Sequence, residues 1–100
     1  MIYAVLEMEN ETESGLYQFE TWDALHAATF SPDIIPVAVW ESGKGYTRDK
    51  KRARMELMNL QRAASIPGIS WGELWEIQNR AENVARRAGL MTEARENGLF

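Results

Sequence analysis

The chain predicts a small α+β domain: a three-stranded sheet in β-β-α-β-α-α order, covered by helices. Three observations carry this. Apolar residues alternate in short runs through the first 43 positions, the period of strands. Beyond Asp49 they recur at a helical period in two long stretches. Helix start and stop residues bracket those stretches. The 100 residues make one domain over 1–100, with an acidic β-rich part at 1–43 and a helical part at 44–100.

Each element follows from its residues. In 2–8, Ile2, Ala4 and Leu6 share one face and Tyr3 and Val5 the other. Both faces are apolar, which suits a central strand. The polar run Glu9 to Gly15 is a loop. Leu16 to Glu20 forms a second strand, hairpin-paired with the first. Thr21 caps a short helix reaching about Phe30, and Ser31-Pro32-Asp33 stops it. Ile34 to Glu41 is the third strand. Ile35, Val37 and Val39 are expected on one face, Ala38 and Trp40 on the other. Pro36 lacks an N–H, so this strand belongs at an edge or pairs only through its later part.

Ser42-Gly43-Lys44-Gly45 is a turn. Thr47 or Asp49 caps a helix to about Ala64, with Ala53, Leu57, Leu60 and Ala64 along its core stripe. Pro67-Gly68 breaks the chain. Ser70 and Glu73 have capping-box spacing. The helix they open puts Leu74, Ile77, Ala81, Val84, Ala85 and Ala88 on one stripe, and Gly89 ends it. Thr92 to Asn97 gives a last short helical turn.

Charge is segregated along this frame. Residues 1–43 hold eight carboxylates and no lysine or arginine. Six of the eleven basic residues fall between Lys44 and Arg54. The net charge of −4 hides this division between an acidic end and a basic collar.

Several function classes are excluded or left without support. There is no cysteine, hence no disulfide, thiolate nucleophile or zinc–thiolate site. The amino terminus lacks the basic start and long apolar stretch of a secretory signal. No apolar run approaches the roughly 20 residues of a membrane helix. A soluble cytoplasmic protein with no membrane association is expected. Gly43-Lys44 sits between strand and helix like a phosphate loop, but Ala38 stands where that loop requires glycine and Gly45 where it requires Ser or Thr. His26 is the only histidine and has no partner by spacing. The acidic run lacks the ligand spacing and central glycine of a calcium loop. No catalytic residue, cofactor or metal site is therefore assigned, and the chain reads as a non-enzyme.

Candidate contact residues remain. Lys44, Lys50, Lys51 and Arg54, with Arg48 and Arg52, form the collar. It is either a solvated helix face, a contact for nucleic-acid phosphates, or a dock for an acidic protein surface. Met55 and Met58 miss the core stripe of their helix. Either the carboxy-terminal segment covers them or they centre an interface with a basic rim. Trp71 and Trp75, four residues apart, edge the core or form an exposed aromatic shelf. Glu7, Glu9, Glu11 and Glu13 alternate into the first loop. They are solvated negative surface, or they imitate a phosphate backbone before a basic groove.

The leading expectation is a small acidic binding protein that occupies a surface of another macromolecule. In size, acidity and lack of catalytic residues it resembles the small inhibitors and accessory proteins that phages encode, anti-CRISPR proteins among them. That likeness implies blockade of a host nucleoprotein complex and assigns no residue a role. Two other expectations stand beside it. One is a nucleic-acid-binding accessory protein using 44–54. The other is an assembly subunit forming a homodimer or larger homo-oligomer.

Overall fold

A computed structural model describes residues 1–43 and 45–99. The chain folds as α+β: β1 (Ile2–Glu7), β2 (Gly15–Phe19), α1 (Trp22–Ala28), β3 (Ile35–Glu41), α2 (Lys50–Ala64), α3 (Trp71–Ala88) and α4 (Met91–Glu96). The three strands form an antiparallel sheet in the order β2-β1-β3. β1 is central, as its two apolar faces require.

One face of the sheet carries the main core. Val5, Val37, Ala38 and Trp40 meet Leu57 and Leu60 of α2 and Ile77, Val84 and Ala85 of α3. The other face is thinner. Ile2, Ala4 and Leu6 meet only Leu25 among fully buried partners, because α1 is a single helix of seven residues. No buried side-chain polar atom among the described residues lacks a hydrogen-bond partner.

β3 departs from the expected alternation. Val5 stands opposite Ala38 and Leu6 opposite Pro36, so Val37 is an extra residue in a bulge. Val37 therefore joins Ala38 and Trp40 in the main core, while Val39 stays partly exposed on the other face. A bulge and a proline in the same half-strand blunt an open edge against further pairing.

The helix boundaries follow the local chemistry closely. Thr21 Oγ1 accepts the Ala24 N–H, but α1 ends at Ala28, short of Phe30. Asp49, rather than Thr47, caps α2 by accepting from Lys51 N and Arg52 N. Ser70 caps α3 by accepting the Glu73 N–H at 3.2 Å. The reciprocal half of the capping box is missing. Glu73 turns instead to β2, where its Oε2 accepts the Leu16 N–H at 3.4 Å. Gly89 closes α3 in the left-handed conformation. The last turn is a true helix, α4, starting at Met91 and adding one element to the expected order.

Candidate functional site

A six-residue connection and the Glu56–Arg80 contact set α2 and α3 antiparallel. The start of α2 thus lies beside the end of α3. α2 has 15 residues, a span of about 22 Å at 1.5 Å per residue. The basic collar and the start of α3 are separated by that span.

The acidic loop sits at the α3-start end. Within it, Ser14 Oγ accepts the Met8 N–H at 2.9 Å and donates to Met8 O. Asn10 Oδ1 accepts from Thr12 N and Oγ1, and the Tyr17 hydroxyl donates to Glu13 O. Gly68, with φ +87, brings the α2–α3 connection against Glu11 O, leaving no room for a Cβ there. Glu73 adds its tie to Leu16. These bonds hold Glu9, Glu11 and Glu13 outward on an anchored loop, all three exposed. Glu7 is separate: it lies on β1 and pairs with Arg62 of α2 at 3.3 Å.

Trp71 and Trp75 open α3 at the same end of the molecule. Trp71 is 87% exposed and Trp75 62%. Neither contributes to the core, which is filled without them. The two indoles and the three loop carboxylates thus share one end, although they lie far apart in the sequence.

The collar is divided by its pairings. Arg54 grips Glu93 of α4 with both Nε and Nη2, at 3.0 and 3.2 Å. That hydrogen-bonded pairing lowers the Glu93 carboxyl from its ordinary value; desolvation opposes it, and the charges of Arg54 and then Lys50 add lesser lowering. Lys50 therefore belongs to the surroundings of Glu93. Lys51, with Arg48 and Arg52, is exposed and makes no ion pair with any described carboxylate. Lys44 lies outside the described residues.

Met55 and Met58 stand on the outer ridge of α2, 60% and 68% exposed. α4 does not cover them. Met58 reaches only the rim of a hollow of about 440 Å³ between α2 and α4. Met55 borders a hollow of about 300 Å³ between α2 and β3.

Sequence reasoning missed three features. Arg80 looks like one more polar residue of α3, yet it is 5% exposed. Its Nε donates to Glu56 at 2.7 Å and its Nη2 to Gly45 O at 3.1 Å, with the guanidinium 4.4 Å from the Tyr46 ring centre. It pins the strand-to-helix turn to the helical layer. The second feature is Phe30, 90% exposed just beyond α1. The third is an apolar groove of about 630 Å³ between α1 and β3, lined by Trp22, Leu25, His26, Phe30, Pro36 and Val39. α1 ends at Ala28, which leaves Phe30 outside the helix at the rim of this groove.

Among the described residues, no group of three or more His, Asp or Glu is placed to hold a metal ion. No described helix is long and apolar enough to cross a membrane. No protein-family model, curated protein or solved structure matches the chain.

Proposed function

We propose that this chain is a small non-catalytic binding protein that acts by occupying a surface of another macromolecule. The observation that carries the reading is the end of the molecule where Trp71 and Trp75 stand exposed beside an anchored acidic loop. Large aromatic side chains in the open dominate binding energy when a partner covers them. Carboxylates held on a fixed loop lose little conformational freedom on docking, and their field favours a basic partner. A basic groove that otherwise receives nucleic-acid phosphates is the fitting target. Blockade of a nucleoprotein complex, as a phage-type inhibitor or accessory protein would exert it in the cytoplasm, is the form of action this chemistry supports.

Direct nucleic-acid binding through 44–54 has weaker support. Arg54 is committed to Glu93, Lys50 neighbours that same carboxylate, and Arg62 is committed to Glu7. Among the described residues of the collar, Arg48, Lys51 and Arg52 are left outside these associations, and three cations on an acidic protein make a small phosphate footprint.

Affinity capture from native lysate, with and without nuclease, tests the reading. Wild-type chain should retain a protein target after nuclease treatment. Trp71→Ala/Trp75→Ala and a triple charge reversal at Glu9, Glu11 and Glu13 should each lose it. Equal recovery by all three proteins would place the contact elsewhere, and recovery that vanishes with nuclease would favour the collar.

A further inference from the structure

The groove between α1 and β3 and the outer ridge of α2 flank the β3 edge, one from each face of the sheet. Val39 borders both the groove and the hollow that Met55 lines, so β3 runs between them. Of the exposed large apolar side chains, Trp22, Phe30, Val39 and Met55 all stand along this edge. The two halves are opposite in charge. On the groove side, Glu20 and Asp23 flank Trp22 in sequence and are exposed, and the first 43 residues hold no lysine or arginine. Along the ridge, Arg48, Lys51 and Arg52 are exposed. The only carboxylate inside α2, Glu56, is turned inward to Arg80.

We propose that this edge is the interface of a homodimer, in which the Met55 ridge of each copy docks in the α1–β3 groove of the other. A groove and a ridge of matching polarity, adjacent on one molecule, are self-complementary. A twofold axis beside the β3 edge satisfies both contacts at once, giving a closed, isologous pair. The β3 edge faces that axis. Ser42 N–H donates to Met1 O, and antiparallel alternation then turns the Val39 amide away from β1. Pro36 and the bulge at Val37 limit strand pairing there, so side-chain docking carries the association. Opposed rims of acid and base set the register. Trp71 and Trp75 line neither hollow, so the inference goes beyond the blocking role and stands independently of it.

Light scattering after size exclusion, from micromolar to near-millimolar chain, tests the proposal with two variants. Phe30→Glu alters the groove and Met55→Lys the ridge. Both positions are exposed, so the fold tolerates them, as circular dichroism checks. Wild type should be a dimer. Each variant alone should associate at least about 30-fold more weakly, the loss expected of a central interface anchor. Mixed in equal amounts, they should recover the dimer, because one contact is then wild type and the other pairs Glu with Lys. A monomeric wild type, variants that remain dimeric, or a mixture that stays monomeric would each overturn it. So would a monomeric wild type whose Phe30→Glu variant loses a different bound protein, since the groove would then belong to that partner.

Discussion

Replacing Arg80 with methionine should destabilise the fold by about 3 kcal/mol. The arginine is 5% exposed and hydrogen-bonds Glu56 at 2.7 Å and Gly45 O at 3.1 Å. Removing one partner of a buried ion pair costs about 3–5 kcal/mol, because the other charge is left without compensation. Glu56 retains 25% side-chain exposure, so water recovers part of its solvation and the lower end applies. Loss of the Tyr46 contact at 4.4 Å adds about 0.5–1 kcal/mol, while methionine fills most of the vacated space. Urea unfolding reads the change as a lower midpoint at constant slope. In a chain of this size the melting temperature should fall by about 15 °C. Pairing Arg80→Met with Glu56→Leu should recover most of the loss and leave about 1 kcal/mol. A single-variant loss under about 1 kcal/mol, or a double variant no better than the single, would refute the reasoning.

Three further outcomes follow from the same geometry. The Glu93 carboxyl is held low by Arg54, so its contribution is complete above the ordinary carboxylate pKa and disappears as pH falls through its lowered folded value. Amide exchange in α4 should accelerate across that acidic window in wild type, and Glu93→Gln should show the faster exchange already at neutral pH; identical profiles would contradict the pairing. Gly68→Ala forces φ +87 on a residue with a Cβ and puts that atom 2.9 Å from Glu11 O, so calorimetry should show a loss of about 2 kcal/mol, with no loss if the acidic loop is not seated there. Trp71→Phe/Trp75→Phe should remove most of the acrylamide-quenchable emission, leaving that of Trp22, which is 48% exposed, while changing stability by no more than about 0.5 kcal/mol per site; quenching undiminished from wild type would mean that the two α3 indoles are covered.

Much of the fold was legible because its signals are local. The two apolar faces of β1 name a central strand, Thr21 and Ser70 name helix starts, and Gly89 names a stop. The Val37 bulge was not legible, since it exists only in the pairing of β3 with β1. Arg80 was hidden for a related reason. Its partner Glu56 lies on another helix, and one arginine on a polar helix flank carries no sign of burial. The Glu73 side chain fits a capping box by spacing, yet β2 offers it a free amide and wins it. Among the candidate contact residues, the exposure of Met55, Met58, Trp71 and Trp75 was left open by helical periodicity. It is set by how far α4 and the sheet reach around α2 and α3. The assembly of the acidic loop with Trp71 depends on Gly68 touching Glu11, a contact no short-range pattern announces.

Affinity for a captured partner, measured by interferometry for wild type and for Trp75→Ala, tests the surface-occupying role most directly. The indole is 62% exposed and holds no part of the core. Binding should therefore weaken about 30-fold or more while the melting temperature stays unchanged. Full affinity in the Trp75→Ala protein, with the fold intact, would contradict the account.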